Sequence, residues 1–169
     1  MKKLIYSFAI VTLFLVACKN NAPAPEATAD TSAPATETAA PADANVAEET
    51  INADDQMKYD RTEITVKSGQ KVKLTLNHVG KLPKEGMGHN WILLKEGVDL
   101  SAFAAEAMKA KDSEYIPASK EGDIIAHTKL IGGGESTSIE FDAPAPGTYE
   151  FLCSFPGHSG MMKGHFIVE

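Results

Sequence analysis

Cysteine is scarce in this sequence: only Cys18 and Cys153 occur in 169 residues. The stretch between them contains no other thiol, so no disulfide can form within it. An exported chain in an oxidising compartment usually pairs its cysteines, and an unpaired thiol there needs an explanation. For Cys153, binding a metal is one explanation, and burial as an inert core cysteine is the other.

The N-terminal apolar run is too short to cross a membrane. It extends from Leu4 to Ala17, about 14 residues, whereas a membrane-spanning helix needs roughly 20. Two lysines precede the run, and a basic start before a short apolar stretch is typical of a secretory signal. We therefore expect residues 1–17 to be a signal peptide.

The end of that run, Leu15-Val16-Ala17-Cys18, resembles a bacterial lipobox. This predicts cleavage before Cys18 and attachment of lipid to its sulfur and its new amino group. The alternative is an ordinary signal peptide that happens to end at a cysteine. A lipid anchor would hold the protein to a membrane of the cell envelope. The outer membrane is favoured, with the folded domain in the periplasm or at the cell surface.

Basic clusters are missing, and the formal net charge of the chain is −7. Binding to nucleic acid depends on concentrated Lys and Arg, so we expect no nucleic-acid partner. Residues 18–50 also have few apolar side chains to bury, being rich in Ala, Pro, Thr, Glu and Asp. Such a segment cannot offset the entropy lost on ordering. We expect it to be a disordered tether that starts at the lipidated Cys18.

Residues 51–169 contain the apolar content of one complete domain. Their pattern is mainly a two-residue alternation, as in Val72-Leu74-Leu76 and Tyr149-Phe151-Cys153. Short alternating runs separated by turn residues predict an all-β antiparallel sandwich. One stretch, near 99–111, has an Ala-rich helical pattern that either Asp99 or Ser101 could cap.

Two places carry residues with distinctive chemistry. Gly88-His89 opens one predicted strand, and the segment from Cys153 to Met162 follows another. The strand phase points His89 and Cys153 inward, and a Pro-Gly turn returns His158 beside them. Two imidazoles, a thiolate and a more distant thioether suit electron transfer by one copper ion, Cu(I)/Cu(II).

Sequence patterns of catalysis are missing around these residues. Zinc hydrolysis requires an open position and a general base, and no acidic residue accompanies the ligands. Gly157-His158-Ser159-Gly160 hints at a nucleophile elbow, but that motif needs glycine where Met161 stands. We expect that the protein is not an enzyme and has no small-molecule substrate.

The chain resembles the azurins, within the cupredoxin superfamily, over about residues 51–169. The matching segments, in order, are Asp55-Gln56-Met57, Leu82-Pro83-Lys84, Met87-Gly88-His89-Asn90-Trp91, Ile125 to Gly132 and Cys153 to Gly164. The Cys-x4-His-x3-Met spacing is specific within the superfamily. The lipobox and tether are similar to those of lipid-modified azurins. The disulfide usual in azurins is absent, since Gly69 stands at its second position.

The resemblance implies a Greek-key sandwich and assigns roles to individual residues. The metal ligands would be His89, Cys153 and His158, with Met162 as a weak axial ligand and the Gly88 carbonyl opposite it. Backbone N–H groups of Asn90 and Phe155 would donate to the cysteine sulfur, and the Asn90 side chain would join Ser154. An apolar patch where redox partners dock would comprise Met57, Met87, Phe155, Pro156 and the edge of His158.

The function implied is that of a type 1 (blue) copper electron carrier. Its transient partners would be redox proteins such as c-type cytochromes, reductases or oxidases. The alternatives are a lipid-anchored cupredoxin that buffers or delivers copper or defends against oxidants, and a non-redox surface interaction module. Copper delivery would favour Met or His clusters, and the tether has none. We expect structural roles for His78, His127 and His165, although the azurin counterpart of His78 titrates near the metal.

Overall fold

A computed structural model describes residues 45–169, which form eight strands and two short α-helices. The strands are β1 (Val46–Ala53), β2 (Glu63–Val66), β3 (Lys71–His78), β4 (Ile92–Leu94), β5 (Ile124–His127), β6 (Ser136–Asp142), β7 (Gly147–Leu152) and β8 (Lys163–Val168). The helices are α1 (Lys84–Met87) and α2 (Leu100–Ala107), and 3-10 turns cover Lys111–Ser113 and Ala118–Asp123. The predicted signal peptide, Cys18 and most of the tether lie outside the described residues. Within residues 45–169, no helix has the length and apolarity needed to cross a membrane.

The strands form two sheets that enclose an apolar core. One sheet has the order β1-β3-β6, and the other has the order β2-β8-β7-β4-β5. Alternate residues of each strand point into the core, which includes Ile51, Leu74, Trp91, Phe151 and Phe166. The alternation in sequence therefore buries one face of each strand, and the predicted β-sandwich is confirmed.

Strand pairing is mixed, which differs from the wholly antiparallel arrangement expected from the sequence. β1 pairs with β3 in parallel, and β2 pairs with β8 in parallel. The reason is that β2 belongs to the opposite sheet from β1 and β3. The chain crosses between the sheets after β1 and again after β2, so β3 returns beside β1 in the same direction.

The first strand begins at Val46, whereas the tether was expected to continue to residue 50. Only Ile51 and Ala53 of this strand are buried, so its first half has little of the apolar content that marks a strand. Backbone pairing with β3 holds it. Two ion pairs flank this pairing: Glu48 lies 3.2 Å from Lys73 of β3, and Glu49 lies 2.8 Å from Arg61 in the loop before β2. Two acidic residues that resembled a tether therefore belong to β1, with Glu48 exposed and Glu49 half-buried against Arg61.

The predicted helical segment is present as α2, followed by a 3-10 turn. Asp99 caps the helix, since its carboxylate accepts hydrogen bonds from the backbone N–H groups of Ser101 and Ala102 at 2.8 and 3.0 Å. The apolar side of the helix, including Leu100 and Phe103, packs on Ile92, Leu94 and Leu152 of the larger sheet. This second core covers the outer face of that sheet.

The antiparallel pair β4–β7 brings the residues of interest to one end of the sandwich. Ile92, near the start of β4, pairs with Leu152 at the end of β7. His89 precedes β4 and forms an isolated bridge with Ile131, while Cys153 follows β7 directly. The loop from Cys153 to Met162 then leads into β8.

Candidate metal centre

Three potential metal ligands converge at this end of the sandwich. The Cys153 sulfur lies 3.9 Å from Nδ1 of His89 and 3.6 Å from Nδ1 of His158. All three ligand atoms lie within 4.8 Å of one another, and all three residues are buried. They are the only such cluster of His, Cys, Asp and Glu among residues 45–169. The structure therefore brings together the three ligands that the sequence predicts.

Backbone hydrogen bonds close the loop that carries Cys153 and His158. The Cys153 N–H donates to the Met162 carbonyl at 2.9 Å, and the Met162 N–H donates to the His158 carbonyl at 2.8 Å. Gly157 turns the chain with a φ of +84°, a left-handed conformation that glycine adopts without strain. The loop thus fixes its own two ligands independently of any bound ion.

A carbonyl from a distant segment orients His89. Its Nε2 lies 2.9 Å from the carbonyl oxygen of Asp54. Because a carbonyl can only accept, Nε2 carries the proton, and the lone pair of Nδ1 faces Cys153. The backbone of Asp54 therefore selects the tautomer that binds a metal. Sequence reasoning missed this role, because a backbone carbonyl has no residue-type signature.

The two adjacent methionines have opposite environments. Met162 is fully buried and packs in the same core cluster as Cys153, whereas Met161 is 55% exposed. Burial in the same cluster as Cys153 therefore favours Met162 over Met161 as the thioether ligand. The Gly88 carbonyl oxygen lies 4.0 Å from the Cys153 sulfur. A Cβ atom at position 88 would lie 2.6 Å from the Lys84 carbonyl oxygen, so only glycine fits where these two backbone segments pass each other.

Burial sets the protonation states of the cluster. Loss of solvation lowers the pKa of both His89 and His158 to about 4, and neighbouring histidines add to the effect. Burial also raises the pKa of Cys153 to about 11, despite hydrogen bonds from the backbone of Asn90 and Phe155 that oppose the rise. Near pH 7 both imidazoles are neutral and ready to bind, while the thiol must release a proton to do so.

This donor set fits copper. Two neutral imidazoles and one thiolate, with a buried thioether nearby and no carboxylate, match the ligands of copper electron-transfer sites. The thiolate and thioether suit Cu(I), and the imidazoles suit both oxidation states. The buried, closed loop also limits how far the ligands can move when the charge on the ion changes.

Comparisons with known proteins agree with this chemistry. Residues 46–169 match the family described as copper binding proteins, plastocyanin/azurin family. The chain belongs to the plastocyanin/azurin family. It is 44% identical over 126 residues to azurin of Pseudomonas chlororaphis, covering 70% of this chain and 95% of that protein. It is 48% identical over 124 residues to azurin of Achromobacter denitrificans, covering 69% and 80%.

Solved structures of azurin-like proteins share the fold. An azurin (Az-iso2) from Methylomonas sp. strain J superposes with a TM-score of 0.66 at 36% identity, covering 73% of this chain and 98% of that one. Auracyanin A, a "blue" copper protein from Chloroflexus aurantiacus, gives a TM-score of 0.67 at 33% identity, covering 73% and 99%. Together with the donor set, family membership identifies His89, Cys153, His158 and Met162 as the single copper site of this azurin-family protein.

A buried polar link joins the two ligand segments of this azurin-family site. The Asn90 amide donates to Ser154 Oγ at 2.8 Å and accepts from the Ser154 N–H at 2.9 Å. Ser154 Oγ also lies 2.8 Å from the Tyr115 carbonyl, to which it donates. The segment before β4, the copper loop and the end of the helical insertion are therefore fastened to one another.

One residue of the sequence-predicted docking patch, Phe155, lies directly against His158. The ring of Phe155 lies 4.7 Å from that of His158, measured between centroids. Met57, Met87 and Phe155 are half-buried, while Pro156 is exposed. His158 itself retains 3% of its surface exposed. Among the four copper ligands, His158 alone thus retains any exposed surface.

The remaining histidines lie in two kinds of environment. His127 and His165 are exposed, away from the cluster. His78 is 2% exposed; its ring centroid lies 4.4 Å from that of His89, and its Nε2 lies 3.2 Å from an Asp55 carboxylate oxygen. His78 therefore packs directly behind a ligand, at the position that its apolar strand phase predicts.

Proposed function

We propose that this azurin-family protein is a type 1 copper electron carrier that moves single electrons between redox proteins in the bacterial cell envelope. The observation that supports it most directly is the convergence of His89, Cys153 and His158 in a buried, preformed cluster. When bound there, copper supplies a one-electron couple between Cu(I) and Cu(II). The chain supplies the fixed ligand geometry that makes the exchange fast.

The residues of this chain hold the ligands still in both oxidation states. The loop hydrogen bonds fix Cys153 and His158, and the Asp54 carbonyl fixes the ring of His89. The Asn90–Ser154 link prevents the two segments from separating. A site that does not rearrange needs little reorganisation energy when an electron enters or leaves.

The apolar surface around His158 is the proposed docking patch, comprising Met57, Met87, Phe155, Pro156 and the edge of His158. It is small and contains no charged residue of its own. A contact of this kind is typical of weak, short-lived redox encounters, which release the partner quickly. We expect partners such as c-type cytochromes, reductases or oxidases.

The proposed lipid anchor at Cys18 would tie this domain to a membrane. Between Cys18 and the start of β1 at Val46 lie about 27 residues, whose ends would average roughly 30 Å apart as a flexible coil. The domain could then turn its docking patch towards partners while remaining in the cell envelope. We favour the outer membrane, with the domain in the periplasm or at the cell surface.

Electron exchange with a reduced c-type cytochrome tests the proposal by stopped-flow absorption at fixed ionic strength. Met87→Glu places a charge that resists desolvation in the docking patch. Thr65→Glu adds the same charge on exposed β2 as a control. The proposal predicts slower exchange for Met87→Glu alone, with unchanged absorption of the copper site. Equal rates for both variants and the wild type would rule out this patch, and no exchange by the wild type would argue against electron transfer.

A further inference from the structure

Tyr59 is a buried tyrosine beside the copper site whose hydroxyl has no role among those already described. It is 8% exposed, and its backbone forms an isolated bridge with Ala53. Its ring contacts the ring of Phe151 edge-on, with centroids 5.9 Å apart. These contacts hold the ring in one orientation, so the position of its hydroxyl is fixed.

The hydroxyl of Tyr59 points at the backbone next to a copper ligand. It donates a hydrogen bond to the carbonyl of Asn90, the residue that follows His89. The backbone N–H of Asn90 in turn donates to the sulfur of Cys153. The hydroxyl oxygen is also near the Cys153 side chain, and this interaction opposes the rise in the pKa of the thiol. Because the hydroxyl has one proton and gives it to the Asn90 carbonyl, Tyr59 acts on the sulfur through the Asn90 backbone.

We propose that Tyr59 is a positioning residue of the copper site, whose hydroxyl holds the Asn90 backbone against Cys153. The donors directed at the sulfur are the N–H groups of Asn90 and Phe155. This inference rests on the proposed function, because its effect is expressed when copper is bound at Cys153.

The expected effect on the reduction potential follows from the difference in charge between the reduced and oxidised copper sites. The reduced site carries one positive charge fewer than the oxidised site, so donors directed at the thiolate favour the reduced form. Releasing the Asn90 backbone weakens one of these donors, which should favour the oxidised form and lower the reduction potential. Because burial raises the pKa of Tyr59 well above its ordinary value, the phenol remains a donor across the working pH range.

Tyr59→Phe removes this hydroxyl and leaves the ring in place. Tyr149→Phe is a matched control, since Tyr149 is 6% exposed and its hydroxyl also donates to a backbone carbonyl, that of Ala145, at 2.7 Å. Ala145 precedes β7, and Cys153 follows the opposite end of that strand. Both variants lose one hydrogen bond from a buried tyrosine to a backbone carbonyl, so both should lose some stability. Only Tyr59→Phe loses a hydroxyl beside the copper thiolate.

The measurements are the reduction potential and the visible absorption of the copper-loaded full-length protein. For Tyr59→Phe we expect the preference for Cu(I) over Cu(II) to fall roughly tenfold, which is about 59 mV for a one-electron couple. We also expect a shift of the thiolate-to-copper band. Tyr149→Phe should change neither quantity. Unfolding of the metal-free proteins, followed by the fluorescence of Trp91, verifies that both variants fold.

Each outcome decides between the claims. A lower potential and a shifted band in Tyr59→Phe alone would support the inference. Potentials and bands of Tyr59→Phe that equal those of Tyr149→Phe would show a purely structural role and overturn it, while the proposed function would stand. A wild-type protein that shows no thiolate-to-copper band would overturn both.

Discussion

At the scale of single residues, the proton on Cys153 links copper binding to pH. The pKa of the buried thiol is raised to about 11, and the pKa values of His89 and His158 are lowered to about 4. Between roughly pH 5 and pH 10, the metal-free site therefore holds one proton that a thiolate ligand must lose. Each ion bound should release one proton in this window, and affinity should rise about tenfold per pH unit.

Calorimetry in two buffers of different ionisation enthalpy measures this proton release. Below about pH 4 both imidazoles are protonated as well, so the number released should rise towards three. Release close to zero at pH 7 would show that the thiol is already ionised in the metal-free protein. Release of two or more at pH 7 would show that an imidazole is protonated there, contrary to its burial.

The two adjacent methionines give a second prediction at this scale. Met162→Leu keeps the buried volume nearly constant but removes the thioether. Cu(II) gains more than Cu(I) from an additional weak donor, so we expect a higher reduction potential. Met161→Leu is the control, because Met161 is 55% exposed whereas Met162 is fully buried. Equal potentials in the two variants, measured by spectroelectrochemistry, would exclude Met162 as an axial ligand.

At the scale of secondary-structure elements, helix α2 depends on its cap. Asp99→Ala should lower the free energy of unfolding by about 1 kcal/mol, because two backbone N–H groups lose their acceptor. Ser101→Ala, at the other candidate cap, should stay within about 0.5 kcal/mol of the wild type. Denaturant unfolding of the metal-free protein measures both values. A loss in Ser101→Ala alone would mean that the helix begins later than the structure indicates.

The four copper ligands could be predicted from the sequence, because their residue types are chemically specific and three of them lie in one loop. The strand faces were also predictable from alternation, as in Leu74 and Leu76. Alternation identifies the buried face and not the neighbouring strand, so the parallel pairing of β1 with β3 was not predictable. The contacts made by Asp54 and Tyr59 also escaped prediction, because each joins a backbone carbonyl to a segment distant in sequence.

At the scale of the whole molecule, the two cysteines should have separate tasks. Cys18→Ser should release the protein from the membrane fraction of a bacterial host and abolish labelling by radioactive fatty acid. Cys153→Ala removes the only other thiol and should leave both unchanged. Retention of Cys18→Ser in the membrane fraction, or loss of labelling in Cys153→Ala, would contradict a lipid anchor at Cys18. The assay also distinguishes a lipid anchor from an ordinary signal peptide, which would yield unlabelled protein.

The central claim is that one copper ion bound through Cys153 gives the protein its one-electron chemistry. The visible absorption spectrum after addition of Cu(II) tests it most directly, with Cys153→Ala and the exposed-site control His165→Ala measured beside the wild type. The account predicts an intense blue thiolate-to-copper band in the wild type and in His165→Ala, and none in Cys153→Ala. A colourless wild-type protein, or a band that persists without Cys153, would contradict it.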